Sequence, residues 1–370
     1  MLFQTPSITE REAEVIDEID TIRRQLNLPG LREWPGLPWR AIHDRILQAS
    51  KNPALGSVLI ENVGAGEDDE PRAENPDAWS AAPGYHAALS FVLQVADAPD
   101  FAIDEGTIRV LHYMMAGHDP QNAAGRWRRG SISVRDDSSG KAMYRAPHAK
   151  FIPALMAELI ASLNARDEVP VFIRAAMAHL NLAAIHPFRD GNGRMARALQ
   201  TFVLARDGIS APPFASIDEY LSVNTDEYYR ILDEVDEGSW QPDRDARPWI
   251  RLCLTAHWLQ ARTLLRRTEE YDRLWDELER DVKHRGLAER TIFALAGAAI
   301  GGSLTAALHQ SAAGVSAREA GDDLERLVEA GLLVATSDKS GRCYIAADAV
   351  KAIRVRTLDP QVPDADPFAA

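Results

Sequence analysis

The sequence predicts a mainly α-helical protein: a helical core carrying one β-hairpin, a helical segment before it, and a winged helix-turn-helix-like unit after it. Three observations predict this. Apolar residues recur at helical spacing along most of the chain, as in Ile16, Ile19, Ile22 and Leu26. Strand-like segments around turn residues are confined to two stretches, Gly125–Tyr144 and the region around SDKSGR. The composition, 46% hydrophobic and 26% charged over 370 residues, is that of a globular protein, with two or three domains at roughly 100–200 residues each.

The elements follow in order. Thr9 and Glu12 are spaced as a capping box ahead of the first apolar stripe. A second helix is expected from Trp39 to Gln48. Asn52-Pro53 reads as an N-cap with proline at the first helical position, opening a short helix to Glu61. Residues 64–83 have loop composition. Helices are expected at Tyr85–Val95, Glu105–Met115, 151–164, 170–185, 192–207 and 225–236. Within that series VFIRAAMAHLNLAAI is apolar on most faces and reads as a central buried helix. Long helices fill 248–280, and 283–350 reads as helix, turn, helix, strand, hairpin turn, strand. The Pro/Asp-rich end of the chain, 357–370, is expected to be disordered.

Charge limits the function classes. The net charge is −14, from 55 acids against 41 bases. That speaks against a dedicated binder of nucleic acid or anionic membrane, which needs a cationic surface, and leaves room for a local basic pocket. Cys253 and Cys343 have no metal spacing, which fits a reducing compartment. The N-terminal residues lack the basic and apolar regions of a signal peptide, and no apolar run is long enough to span a bilayer. A cytoplasmic protein is expected. The scarcity of lysine beside arginine points to a GC-rich bacterial genome.

The most informative segment is His186-Pro187-Phe188-Arg189-Asp190-Gly191-Asn192-Gly193-Arg194-Met195-Ala196-Arg197. Pro187 stops a helix at an imidazole. Gly191 and Gly193 allow successive amides to converge on one point. A new helix then begins, and its N-terminus favours anions. Arg194 and Arg197 share one face of that helix. Asp190 is a hard oxygen ligand suited to Mg²⁺, and His186 can be a neutral proton acceptor near pH 7. Together these describe phosphoryl or nucleotidyl transfer.

This segment resembles the Fic family signature HPFx(D/E)GNGRxxR at every specified position. Most Fic proteins transfer AMP from ATP to a hydroxyl of a target protein, which makes a nucleotidyltransferase the expectation. The resemblance implies that His186 is the general base for a Ser, Thr or Tyr hydroxyl. It implies that Asp190 holds Mg²⁺ and that Gly191, Asn192 and Gly193 form the anion hole. Arg194 and Arg197 would contact the β- and γ-phosphates, with Phe188 the core anchor of the phosphate-binding segment. The related phosphorylating Doc branch carries a lysine where Gly193 stands, which favours nucleotidyl transfer. Donors other than ATP remain open, because phosphate contacts do not read the base.

Ser57 and Glu61, in SVLIEN, resemble the inhibitory motif (S/T)xxxE(G/N) of the family class with an N-terminal inhibitory helix. The resemblance implies that Glu61 pairs with Arg197 and obstructs ATP. Removal of AMP as a second activity is the companion expectation. GRWRRGSISVR (Gly125–Arg135) has four arginines and no acid. It begins the hairpin where the family places its target-aligning flap, so Arg129, Ile132 and Val134 are the expected docking residues; arginines that only blunt an edge strand are the alternative. Tyr228-Tyr229 resembles the family's tyrosine pair, and Tyr229 is the candidate to stack on adenine. The candidate recognition helix Ser316–Glu329 is acidic, with Glu319, Asp322, Asp323, Glu325 and Glu329 against Arg318 and Arg326. That favours protein contact over DNA.

The expected organisation is an N-terminal helical region (1–98) holding the inhibitory helix (53–62), a catalytic core (99–260), a linker helix with winged-helix-like unit (261–356), and the tail. The expected partners are ATP with Mg²⁺ and a target protein, which includes the chain itself, with a homodimer as the assembly. A transcriptional regulator with a vestigial core is the rival from another class.

Overall fold

The computed structural model describes residues 1–26, 76–98, 100–135, 142–165, 168–210, 212–300, 304–338, 341–359 and 366–369. The helices expected at Trp39–Gln48 and Asn52–Glu61, with Ser57 and Glu61, lie outside the described residues. The chain divides into two compact units. One comprises Met1–Thr21, Lys51–Ala261 and Ala365–Ala370, the other Ile22–Ser50 and Arg262–Asp364.

The first unit opens with α1 (Glu10–Gln25). Thr9 and Glu12 form the expected reciprocal cap, with Thr9 N–H donating to Glu12 and Glu12 N–H to the threonine hydroxyl. Glu12 is buried and also meets Arg251 at 3.1 Å. Next come α2 (Pro76–Val95) and α3 (Glu105–Ala116). Residues 76–83 were expected as loop, yet α2 begins at Pro76 and continues through Pro83. Tertiary packing overrides the two breakers here: Gly84 lies so close to α3 that a Cβ would overlap the Met114 carbonyl oxygen. A two-stranded antiparallel hairpin follows, β1 (Ser133–Arg135) and β2 (Ala142–Arg145), irregular between Val134 and Arg135.

The core is built on α4 (Ile152–Asn164), α5 (Val171–Ile185) and α6 (Asn192–Arg206). Helix α5 is buried on nearly every face, as its sequence predicts, and packs along α6. Short helices α7 (Pro212–Ala215) and α8 (Asp218–Val223) precede α9 (Thr225–Asp236) and α10, one continuous helix over Arg247–His284. Neither α7 nor α8 was legible in the sequence, because four- and six-residue helices carry too few positions to show a period.

Polar groups inside this core form a relay with a fixed sense. The Tyr228 hydroxyl lies 3.3 Å from His179 Nε2, His179 Nδ1 lies 2.7 Å from Gln200 Oε1, and Gln200 Nε2 lies 3.1 Å from His257 Nε2. Since the amide oxygen can only accept, His179 carries its proton on Nδ1 and accepts from the tyrosine. Within the stretch expected to be disordered, the described residues 366–369 make contacts. Arg11 donates to the Pro367 carbonyl at 2.9 Å and Arg251 lies over the Phe368 ring. These arginines supply contacts that composition alone does not reveal.

In the second unit, helices α11 (Ile292–Ala299), α12 (Ala306–Ala313) and α13 (Ala317–Glu329) lead into the antiparallel strands β3 (Leu333–Asp338) and β4 (Gly341–Ala346). A bridge joins Leu304 to Tyr344, and α14 (Asp348–Thr357) follows. Two acids counted on α13 do not face outward as free charges. Glu319 completes a capping box with Ser316. Asp323 is buried, meets Arg290 through two contacts at 2.7 and 3.0 Å, and lies 3.2 Å from His309 Nε2. A buried carboxylate left without its cation is costly. Arg290→Ala is therefore expected to destabilise this unit by about 2–3 kcal/mol, below the 3–5 of a fully buried pair because Arg290 is 38% exposed. Urea unfolding checks this, and a loss under about 0.5 kcal/mol would contradict it.

Candidate active site

Helix α5 ends at His186, whose backbone is left-handed (φ 50°, ψ 58°) while its N–H still caps onto the Leu182 carbonyl at 3.0 Å. A histidine in this conformation is uncommon, and its surroundings must hold it there. Arg128 does so. Its Nε donates to the His186 carbonyl at 2.7 Å, Nη1 to Gly130 at 2.7 Å, and Nη2 to Pro147 at 2.6 Å and Ile185 at 3.3 Å. Its own N–H reaches the Pro187 carbonyl at 2.9 Å. The buried guanidinium thus satisfies the last carbonyls of α5 and complements the negative end of that helix.

The His186 ring is half-buried, with Nδ1 3.2 Å from the Ala183 carbonyl. That contact places the proton on Nδ1 and leaves the Nε2 lone pair as the acceptor. Burial, with Arg128 nearby, lowers the imidazole to about 4, so it is neutral across the physiological range.

The chain then turns over itself. Phe188 is fully buried, stacked on His112 at 3.6 Å and beside Trp127 at 4.9 Å. Asn192 accepts from the Phe188 N–H at 2.9 Å and donates to the Phe188 carbonyl at 3.1 Å. The Asn192 side chain, expected in the anion hole, uses its oxygen and one N–H to close the loop. Gly191 is left-handed (φ 73°) and caps the N-terminus of α6. Its N-cap is a glycine without a side chain to satisfy the first-turn amides, and a helix N-terminus of this kind favours anions. Arg194 and Arg197 stand on this helix, both nearly fully buried. Arg194 reaches the half-exposed Asp190 carboxylate at 3.2 Å. Arg197 Nε lies 2.9 Å from Asp218, an ion pair rather than an aligned hydrogen bond. The Asp218 carboxylate also accepts from Tyr85 at 3.0 Å and Ser216 at 2.6 Å.

Sequence reasoning missed three residues: Arg128, Asp218 and His112. His112 Nδ1 accepts from Gly125 N–H at 2.8 Å, so Nε2 carries the proton and donates to the Asp190 carbonyl at 2.9 Å. It ties the entrance of the hairpin to the loop. An invariant-looking spacing was not there to find it: His112 is one ring on an otherwise apolar helix face. Of the expected docking residues, Arg129 is exposed and Ile132 half-buried, while the backbone of Val134 pairs with Tyr144. Tyr228 is core, edge-on to Tyr229 at 5.0 Å, and Tyr229 is half-buried.

Three buried histidines and the half-buried His186 stay neutral in this fold: His112 and His186 lowered to about 4, His179 and His257 to about 3, each chiefly by loss of solvent. In the unfolded chain each takes a proton near 6.5. A lowered histidine pKa means the unfolded state binds more protons in acid, so stability is present above 6.5 and is lost as pH falls. Each costs about 2 kcal/mol between pH 7 and pH 5. Asp236 acts in the opposite sense: burial raises it to about 7, so acid returns about as much as one histidine removes. A net loss of roughly 5 kcal/mol is expected, and urea midpoints at the two pH values measure it. Equal midpoints would contradict neutral buried histidines.

Comparison with known proteins agrees with this geometry. Residues 102–204 match the Fic/DOC family. The chain is 32% identical over 174 residues to a protein adenylyltransferase fic-1 of Caenorhabditis briggsae, covering 45% of this chain and 30% of that one. It is 28% identical over 177 residues to a protein adenylyltransferase Fic of Nematostella vectensis, covering 45% and 35%. The chain thus spans about a third of the length of these curated relatives. Among solved structures, a Fic family protein from Desulfovibrio desulfuricans G20 superposes with a TM-score of 0.54 at 22% identity, covering 93% of this chain and 98% of that one. Fic-1 of C. elegans superposes at 0.50 and 20%, covering 68% and 71%. These structural likenesses concern the fold. Residues 102–204 of this chain are thus similar to the Fic/DOC family, in a fold shared with solved Fic proteins.

Proposed function

We propose that this protein is an adenylyltransferase that moves AMP from Mg·ATP to a Ser, Thr or Tyr hydroxyl of a target protein. The observation that carries the reading is the short loop that joins His186, whose Nδ1 lies 3.2 Å from the Ala183 carbonyl, to the N-terminus of α6 with Arg194 and Arg197 on that helix. In the proposed step the hydroxyl oxygen bonds to the α-phosphorus, the bond to the bridging oxygen breaks, and pyrophosphate leaves with the electron pair. His186 Nε2 takes the hydroxyl proton. The amides of Gly191–Gly193 and the two arginines meet the phosphate charge. Asp190 is half-exposed and a hard oxygen donor. It fits Mg²⁺, which keeps most of its waters and uses one or two carboxylates with substrate phosphates. The ion would neutralise phosphate charge there. Tyr229 is the candidate for the adenine face, and the hairpin with Arg129, Ile132 and Val134 for the target backbone.

Regulation is read from the sequence. Glu61, four residues after Ser57, is the inhibitory carboxylate for Arg197. The 283–350 region is read as a winged-helix-like unit for protein contact, in a homodimer or with a target. Two free, buried cysteines suit a cytoplasmic setting.

Two outcomes are expected. His186→Ala abolishes label transfer from α-labelled ATP yet retains ATP binding by calorimetry, and the wild-type kcat/KM for ATP, which reports the free enzyme, at pH 6.0 stays within about 1.3-fold of that at pH 7.5. An ordinary imidazole would instead be about three-quarters protonated and the rate about fourfold lower. Glu61→Gly raises self- and target labelling by about 10-fold or more; equal labelling of the two forms would remove Glu61 from control.

A further inference from the structure

In the first unit, the described arginines that stand exposed are Arg11, Arg126, Arg129, Arg145, Arg189 and Arg230. Arg11 and Arg230 lie near carboxylates, at 2.9 and 3.1 Å. Among the described residues no carboxylate comes within 4 Å of the other four. Three of them, Arg126, Arg129 and Arg189, adjoin residues of the loop or residues that contact it, and Arg145 stands on the hairpin. Arg129 follows Arg128, whose guanidinium holds the His186 carbonyl. Arg126 precedes Trp127, which packs on Phe188. Arg189 donates to the Gln121 carbonyl at 3.1 Å, which lays it against the turn leading to Arg126. Arg145 pairs with Ser133 at the base of the hairpin. The opposite edge of β1 carries no partner strand among the described residues.

An acidic protein at −14 offers ample carboxylates for its exposed arginines. Cations left without one beside an open strand edge match a partner that brings its own charge. We propose that Arg126, Arg129, Arg145 and Arg189 form a docking rim for an acidic, extended segment of a partner protein, the segment that presents the hydroxyl to His186. This rests on the adenylyl-transfer reading and names its substrate class: Ser, Thr or Tyr flanked by Asp and Glu. The strand edge supplies backbone hydrogen bonds that ignore sequence, and the rim supplies the preference.

The test uses the full chain and fluorescent peptides of about a dozen residues. One peptide carries a central serine flanked by Asp and Glu, the other the matching Asn and Gln. Anisotropy at low salt should show the acidic peptide binding at least 10-fold tighter, the gap narrowing as salt rises. Arg126→Glu with Arg189→Glu should remove the gap. Equal affinity of the two peptides overturns the rim. So does a single-stranded RNA of equal charge that binds as tightly as the acidic peptide, since the surface would then be a generic polyanion site. Label transfer from ATP, followed in parallel with the Glu61→Gly form, keeps the two readings apart. Transfer without charge preference sinks the rim alone. Preferred binding of the acidic peptide with no transfer to any acceptor keeps the rim and sinks adenylyl transfer.

Discussion

The site depends on one buried cation, the Arg128 guanidinium, and on the carbonyl groups it holds. A helix that ends inside a protein leaves carbonyls without partners. For those of Ile185 and His186, Arg128 supplies the donors. With that bond made, His186 can occupy a left-handed backbone and Pro187 can turn the chain toward Phe188. Two further bonds, to Gly130 and Pro147, bring both limbs of the hairpin to the same guanidinium. The positions of His186 and of the hairpin are therefore tied to a single side chain. A neutral residue of similar size would leave several buried acceptors unpaired at once.

The other buried arginines are compensated differently, and the difference has consequences. Arg128 answers only carbonyl dipoles, so its full charge bears on His186 and helps keep that ring neutral. Arg197 faces Asp218, and the pair costs little only because Tyr85 and Ser216 also serve the carboxylate. This arrangement connects α6 to α2 and to the start of α8. The helix α2 follows directly on the segment that contains Ser57 and Glu61. Anything that shifts α2 therefore acts on the counter-ion of Arg197 through the Tyr85 hydroxyl. Arg194 has the most exposed partner, Asp190, and that bond is the easiest of the three to exchange for a phosphate.

Much of this was legible in the sequence, and the exceptions share a cause. The buried character of α5, the capping box of α1, the hairpin and the loop of 186–197 follow from patterns that repeat locally or from a dense motif. Residues whose role is set by distant chain could not be read. Arg128 looked like one of four flap arginines until the fold buried it against carbonyls 57 and 58 residues away. His112 and Asp218 carry no local signal, because their partners lie 78 and 133 residues off. Asn192 has a role that local sequence did not reveal: beyond the anion contact its place between two glycines suggests, its side chain bridges the Phe188 backbone. Asp323 shows the same limit in the second unit, where composition counted a charge that packing had already neutralised.

The depressed pKa of His186 raises a chemical question that the surroundings answer. A base near 4 is always available but intrinsically weak, since base strength falls with pKa. Its depression comes first from burial and then from Arg128, both present without substrate. A bound triphosphate adds negative charge beside the ring, and nearby negative charge raises an imidazole pKa. At about 4 Å and an effective dielectric of about 20, one unit charge is worth about 4 kcal/mol, or three pKa units, before the site's own cations screen it. Under the proposed reaction the nucleotide would itself strengthen the base that serves it. The free site would then hold a weak, neutral imidazole that does little until the phosphates arrive, and proton uptake would be coupled to occupancy of the anion hole. Under that reaction the same coupling would account for cations and base sharing one loop: the charge drawn by the arginines would be the charge that makes His186 competent.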